Sequence, residues 1–284
     1  MKKILTILIS VISFSMVNAN EISSKVSEYV SGFIPGEGLT EASIQINEED
    51  NPDLEILALR DIESTNNSNL FTQFSIHTQE TNGHNRLIGN LGFGYRKLSE
   101  DKSSMMGINV FLDNDFNAGH QRGSVGFELK GANLDLTANS YHKISNMETY
   151  KDTEEQVLSG YTINLASQLP YTPWAKINWQ NYAWENEKAS SDTEGNSIAL
   201  QAYLTPSVQL EFKNDMSDSS GVDDEFSSKL TFIYPPREDG KSMQDGFSNV
   251  AFEKENIEKK LKEKVERNNN MTVEVQGSII VTSK

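Results

Sequence analysis

The chain has 284 residues, 36% of them hydrophobic, no cysteine, a formal net charge of −16 and a mean hydropathy of −0.52. The length fits one large domain or two small ones. The lack of thiols excludes cysteine nucleophiles and thiolate metal sites, and the acidity argues against nucleic acid and anionic headgroups as partners.

Residues 1–19 read as a secretory signal peptide. Lys2 and Lys3 are followed by an apolar run from Ile4 to Val17, broken only by Thr6, Ser10, Ser13 and Ser15, and Val17-Asn18-Ala19 fits a small-residue cleavage site. The alternative, an uncleaved anchor, requires a longer run. Cleavage removes both lysines and takes the charge from −16 to −18. No later segment reaches the ~20 apolar residues of a membrane-spanning helix. A soluble protein and a β-barrel remain equally compatible with the composition, because half of a barrel strand faces a polar lumen.

Residues 20–40 form a lead segment, with Ile22, Val26, Tyr29 and Val30 at helical spacing until Gly32 and Pro35. The stretch 41–236 then alternates apolar and polar side chains. Leu91, Phe93 and Tyr95 stand against Asn90, Gly92, Gly94 and Arg96; Met106, Ile108, Val110 and Leu112 stand against Gly107, Asn109, Phe111 and Asp113. Successive strand residues point to opposite faces, so each segment has an apolar face and a wet one, the pattern of an all-β, transmembrane antiparallel barrel. Twelve strands are predicted: Glu41–Asn47, Leu54–Arg60, Leu70–Gln79, Arg86–Leu98, Met105–Asp115, Gln121–Lys130, Leu134–Ile144, Gln156–Gln168, Trp174–Trp184, Ser197–Thr205, Ser207–Lys213 and Glu225–Tyr234.

The connections alternate in length. Gly131-Ala132-Asn133, Leu169 to Pro173 and Thr205-Pro206 are short, whereas Ser145–Glu155, Glu185–Asn196 and Asn214–Asp224 are long and acidic. Outer-membrane barrels have short periplasmic turns and longer external loops, which places both the amino terminus and the short links in the periplasm. Asp61–Asn69 is too long for this scheme. Tyr95, Tyr141, Tyr161, Tyr171, Trp174, Tyr182, Trp184 and Tyr234 fall toward segment ends, as interface girdles do, although aromatic residues favour strands in general.

Pro235-Pro236 ends the last strand, and residues 237–252 form a periplasmic turn. Residues 253–270 are predicted as a charged helix, with Ile257, Leu261 and Val265 in a stripe and opposite charges at i, i+4 spacing. It is either an isolated charged helix or a plug resting in a polar lumen. Residues 271–284 return to extended character. Arg96, Arg122, Glu128 and Lys130 alternate with Val125, Phe127, Leu129 and Tyr95, so they are expected to project into the lumen, where water or a plug pairs them. Arg267 and the neighbouring glutamates, with Asn268 and Asn269, are the expected contacts from the plug.

Catalytic and metal sites are not expected. His77, His84, His120 and His142 show no metal-ligand spacing. Asn139-Ser140-Tyr141-His142 has the residue types of a barrel hydrolase on the outer wall but no nucleophile motif. Asp113, Asn114, Asp115 and Asn117 cluster hard oxygen donors without the glycine and distal glutamate of a calcium loop, and read as a solvated turn.

The run Asn90-Leu91-Gly92-Phe93-Gly94-Tyr95-Arg96, the run Met106 to Phe116 (MGINVFLDNDF), His120 to Glu128 (HQRGSVGFE), Asn139-Ser140-Tyr141 with Ile144-Ser145, and the distant Val265-Glu266-Arg267-Asn268-Asn269-Asn270-Met271 together resemble the translocator of inverse autotransporters, the intimin and invasin group. The resemblance covers roughly Glu41 to Val275. It implies a twelve-stranded outer-membrane barrel whose chain turns back into the pore as a helix and extended linker and leads a carboxy-terminal passenger, typically immunoglobulin-like domains with an adhesive tip, to the cell surface. It also implies periplasmic chaperones and the barrel-assembly machinery as partners beside outer-membrane lipid, with Phe226, Phe232 and Tyr234 of the last strand as the assembly signal. Nine residues follow Val275, whereas an immunoglobulin-like domain needs ~100. The expectation is therefore a translocator unit without a passenger and without a cofactor. The alternatives are a passive plugged porin-like or structural surface protein and, remotely, a barrel enzyme.

Overall fold

The computed structural model describes residues 35–47, 51–189, 191–219, 223–237, 240–253, 257–275 and 278–280, together with Lys25. The expected signal peptide and most of the lead segment lie outside the described residues. In chain order the strands are β1 (Gly38–Asn47), β2 (Asp53–Ser64), β3 (Ser68–Thr81), β4 (His84–Leu98), β5 (Met105–Asp115), β6 (Gln121–Lys130), β7 (Leu134–Lys143), β8 (Glu148–Tyr150), β9 (Thr153–Val157), β10 (Ser159–Leu169), β11 (Thr172–Glu185), β12 (Thr193–Thr205), β13 (Val208–Ser217), β14 (Glu225–Tyr234), β15 (Val273–Val275) and β16 (Ser278–Ile280). Twelve of them, β1–β7 and β10–β14, close an antiparallel barrel, and β1 seals against β14 from Thr40 opposite Tyr234 to Asn47 opposite Ser227. Closure leaves no unpaired wall edge, which a sheet in hydrocarbon requires.

Alternation decides the two faces. Leu91, Phe93, Tyr95, Met106, Ile108, Val110, Leu112, Val125, Phe127 and Leu129 are 38–61% exposed on the outside. Arg96, Arg122, Glu128 and Lys130, on the same strands with opposite parity, are at most 2% exposed. An apolar exterior with charges inside inverts the order of a soluble domain and suits a wall solvated by lipid. Among the described residues no helix is long and apolar enough to cross a membrane. The barrel opens on a glycine that the wall requires: Gly38 has φ +142°, and a Cβ there would lie 2.1 Å from the Leu59 carbonyl oxygen.

Three local expectations change. β2 and β3 run on to Ser64 and Ser68, so their link is residues 65–67, and the anomalous Asp61–Asn69 connection becomes a short turn on an extended hairpin. The strand expected from Gln156 breaks at Leu158. Residues before it form β9, which pairs with β8 in a hairpin outside the barrel within the expected Ser145–Glu155 loop. Tyr141, Tyr182 and Trp184 are not girdle residues: they are 0–3% exposed inside the lumen, because they share parity with lumenal Asn139 and Gln180. The links 65–67, 131–133, 170–171 and 206–207 lie at the end where β1 begins and β14 finishes; the longest links, 144–158, 186–192 and 218–224, leave from the other end, which also carries the two-residue turn 82–83.

Arginine at Val110, mid-strand on the lipid face, is expected to lower the unfolding free energy by about 2–4 kcal/mol. Val110→Leu is expected to be near neutral. Urea unfolding from lipid vesicles measures both.

Candidate functional site: the occupied lumen

After β14 the chain crosses the short-turn mouth. Arg237 N–H donates to the Pro206 carbonyl (3.0 Å), Tyr171 of the β10–β11 turn accepts from the Ser248 N–H and donates its own N–H to the Ala251 carbonyl (2.8 Å each), and Trp174 Nε1 donates to the Gly246 carbonyl (2.7 Å). A single helical turn, α1 (Ile257–Lys260), then enters the barrel. The expected helix over 253–270 is thereby corrected: the described residues from Leu261 to Asn270 are not helical. The physical reason lies in the wall. Asn69 Nδ2 (3.1 Å) and Arg96 Nη1 (3.1 Å) take the Leu261 carbonyl, Arg96 also takes that of Glu263, and the Val265 N–H goes to Gln73 Oε1 (2.8 Å). Lumenal side chains thus compete with the i to i+4 backbone bonds a helix needs. Higher up, Gln79 pairs both polar groups of the Met271 backbone at 2.8 Å each, as a neighbouring strand would.

Hydrophobic steps alternate with charges along this path. Ile257 and Leu261 pack on Leu98 and Met105; Val265 packs on Leu59, Phe71 and Phe111; Met271, Val273 and Val275 pack on Ile88 and Val157. The stripe read from the sequence is therefore buried, Ile257 and Leu261 in one small cluster and Val265 in a second. Along the same path linker lysines meet wall acids. Lys260 Nζ lies 2.6 Å from Asp135, Lys264 Nζ 3.0 Å from Glu41, and Lys262 Nζ 2.8 Å from Asp61. In the reverse sense, Glu263 receives Lys130 at 2.9 Å.

The residues expected at this contact meet as follows. Arg96 forks onto Glu128 (2.8 and 2.9 Å) and stacks on Phe71 at 4.5 Å. Arg122 donates to Asp113 (Nε, 3.0 Å) and to the Asn268 carbonyl (3.0 Å). Arg267 Nη2 donates to the same Asp113 oxygen (2.8 Å) and to Ser124 (3.1 Å), with its guanidinium 4.3 Å from the Phe111 ring. Asn268 N–H donates to Tyr141 Oη (2.7 Å), and Asn269 Nδ2 to Glu55 (3.0 Å). Arg267 is thus paired with Asp113 rather than with a wall glutamate. Gly92 and Gly94 make room for the rings: a Cβ would lie 2.4 Å from Phe111 at the first and 2.3 Å from Phe71 at the second.

Asp113, Glu55, Gln73, Gln79 and Asn90 also hold the linker, and the sequence reading did not select them as contacts. Strand parity was the available signal: each lies on the buried, inward face of its strand, and Asn90 shares that face with Arg96. Asp113 and Asp115 point inward to arginines, while Asn114 accepts from Gln121 and Asn117 accepts the Leu87 N–H. These oxygens do not converge, and among the described residues no cluster fits a metal ion. Ser140 Oγ and His142 Nε2 lie 3.1 Å apart on the exposed outer face, and among the described residues no third group hydrogen-bonds to the ring. Phe226, Phe232 and Tyr234 share the outward face of β14, with Phe226 stacked on Phe212 at 6.2 Å. On the side of β10–β14 the linker leaves a polar cavity of about 90 Å³ bordered by Asn178, Gln180, Gln201, Glu211, Lys213 and Lys229.

At the long-loop end the linker becomes β15, pairing with β9 on one side and β16 on the other. Glu155 of β9 holds Arg86 (2.6 Å) and His120 (3.4 Å). The chain therefore enters by one mouth and emerges by the other.

The family described as "Inverse autotransporter, beta-domain" matches residues 11–269. The chain belongs to the inverse autotransporter β-domain family. An inverse autotransporter β-domain of this architecture resides in the outer membrane, so the long-loop end faces outward and the other end faces the periplasm. The chain is 30% identical over 146 residues to a putative attaching and effacing protein homolog of Escherichia coli (strain K12), covering 48% of each. It is 27% identical over 225 residues to the inverse autotransporter adhesin YeeJ of the same strain, covering 75% of this chain and 9% of that protein. To intimin of Escherichia coli O127:H6 it is 26% identical over 160 residues, covering 52% and 17%. The chain thus spans half or less of these curated relatives. A solved chain from work on in-meso crystallization of membrane proteins superposes with a TM-score of 0.67 at 19% identity, covering 84% of this chain and all of that one. The COG4313 outer membrane channel from Pseudomonas putida F1 gives 0.52 at 11% identity, covering 70% and 96%.

Removing the Asp113 carboxylate leaves two buried guanidiniums uncompensated. Asp113→Ala is expected to destabilise the barrel by about 3–5 kcal/mol, and adding Arg267→Met should recover part of that loss, as coupled sites do; urea unfolding reads the cycle. A second expectation concerns acid. Burial pushes the Glu155 carboxyl up, but His120 and Arg86 outweigh it and hold the group below its ordinary value. The stabilisation is complete above the unfolded carboxylate range and is lost as pH falls through the depressed folded value. The melting temperature in detergent should drop more steeply between about pH 5 and 3 for the native chain than for Glu155→Gln.

Proposed function

We propose that the barrel is a translocator unit that carries a carboxy-terminal segment of its own chain from the periplasm to the cell surface and afterwards keeps the linker as a plug. The observation that carries this reading is the path of residues 257–275, which enter at the periplasmic mouth and emerge at the outer one as β15. Nothing in that path calls for nucleotide: the driving contacts are backbone pairing and the ion pairs formed once the linker is seated. The adhesin relatives are much longer than the region they share with this chain, and surface display of an adhesive segment is the type of output this unit supports. Outer-membrane lipid, periplasmic chaperones and the barrel-assembly machinery are the proposed partners. The outward row Phe226, Phe232 and Tyr234 on the closing strand is the proposed assembly signal. The signal peptide at 1–19 belongs to the same reading. We assign no hydrolase role to Ser140 and His142, because a nucleophile and base without an orienting group fall short of a triad.

A second reading, a passive pore, draws support from the polar cavity beside the linker. Two measurements separate the readings. A tag placed after Lys284 is expected to be cut by protease on intact cells; a protected tag would count against export. Deleting residues 253–284 is expected to raise single-channel conductance several-fold, and an unchanged current would dismiss the plug.

A further inference from the structure

Outside the barrel the linker meets a surface whose chemistry is more specific than plugging requires. β15 adds to β9 with Val273 opposite Val157, Glu274 opposite Gln156 and Val275 opposite Glu155, and the Leu158 N–H continues the ladder to the Thr272 carbonyl at 3.0 Å. Strand side chains alternate, so the two faces of β15 meet different surroundings. Val273 and Val275, with Met271 behind them, fill an apolar pocket made by Ile88 and Val157. Glu274 points the other way, is 2% exposed, and accepts three consecutive backbone N–H groups from the β11–β12 loop: Glu187 (3.0 Å), Lys188 (3.0 Å) and Ala189 (2.7 Å). Successive amides converging on one carboxylate form an anion nest. Both sides of this arrangement are tied to the barrel, β9 through Glu155 to Arg86 of β4 and the loop through β11 and β12.

We propose that the β8–β9 hairpin and the Glu187–Ala189 loop form a clasp that reads an extended apolar–acidic–apolar strand and arrests the linker in its resting register. The inference rests on the export reading. It adds to that reading the surface that recognises the emerging chain and the sequence that surface accepts. Register is what the pattern fixes. A slip of one residue turns Glu274 into the apolar pocket and a valine onto the amide nest. A slip of two presents Thr272 or Gln276 to the nest, with no charge to offer. Of these settings, only the observed one satisfies pocket, ladder and nest together. Backbone pairing supplies affinity without selectivity, whereas pocket and nest supply selectivity, the division of labour seen in strand-addition sites.

The test is amide hydrogen exchange on the full chain refolded in lipid, with barrel integrity checked by heat-modifiable gel mobility. Glu274→Ala is expected to speed exchange at both Glu187–Ala189 and Val273–Val275 by about tenfold or more, the scale of losing hydrogen bonds to a charged acceptor. Glu274→Gln, which keeps an acceptor oxygen, should fall between. Arg267→Met, which loosens the lumen below, should leave Glu187–Ala189 protected. Unchanged exchange at both segments in Glu274→Ala, with the barrel intact, would overturn the clasp and assign the register to lumenal contacts alone. The two readings fail separately. A tag that stays protected on cells while Glu274→Ala still speeds exchange refutes export and spares the clasp. An exposed tag with unchanged exchange does the reverse.

Discussion

The carboxylate of Asp113 sits between a wall arginine and a linker arginine, and the arrangement of the lumen depends on that shared charge. Arg122 reaches it from the neighbouring strand and Arg267 from the chain threading the pore. A charge taken out of water costs several kcal/mol unless it is paired and its remaining hydrogen bonds are filled. Here the second guanidinium face rests on Phe111, and the first on Tyr141 and Trp184, so aromatic faces supply what one carboxylate cannot. Linker and wall are consequently complementary in charge along the whole path. The pairs Lys260–Asp135, Glu263–Lys130, Lys264–Glu41 and Arg267–Asp113 follow one another from the periplasmic mouth inward.

The same constraint shapes the backbone. A segment rich in helix formers and i, i+4 charge pairs has a weak intrinsic preference for helix, worth a few tenths of a kcal/mol per pair. Lumenal Arg96, Asn69, Gln73 and Gln79 offer its carbonyls and amides fixed partners in a site shielded from bulk water, and a net hydrogen bond to a charged donor is worth about 1.5–3 kcal/mol. The wall wins, and the helix shrinks to Ile257–Lys260. Gly92 and Gly94 belong to the same balance. By giving up side chains they admit Phe111 and Phe71, the rings on which Arg267 and Arg96 lie.

The lumen is divided rather than filled. Hydrogen bonds from the linker run mainly to β2–β7, while the β10–β14 side faces it across a polar cavity. At the outer end the division disappears, because the linker joins a four-stranded sheet, β16-β15-β9-β8, outside the membrane. A tight ionic path below and a strand-pairing surface above give the emergent segment two independent holds.

The sequence by itself determined the wall. Period-two alternation in Asn90–Arg96 and Met106–Asp113 fixes which side chains face lipid, because a strand has only two faces, and glycine-rich turns fix where strands reverse. It also placed Arg96, Arg122, Glu128, Lys130 and Arg267 on wet faces, since a charge directed into hydrocarbon is too costly to occur by chance. What the tertiary structure alone decided is who meets whom. Asp113 read as a polar residue at the end of a strand and in a solvated turn, with no partner, because pairing across strands and across more than 150 residues of chain leaves no local pattern. Tyr141, Tyr182 and Trp184 read as interface residues, because an aromatic ring suits a lipid boundary and a guanidinium stack equally well until its parity is set by register. The short helix and the outer hairpin were hidden for the same reason: both arise from competition with distant partners, and local propensity carries no information about a competitor that only closure of the barrel brings near.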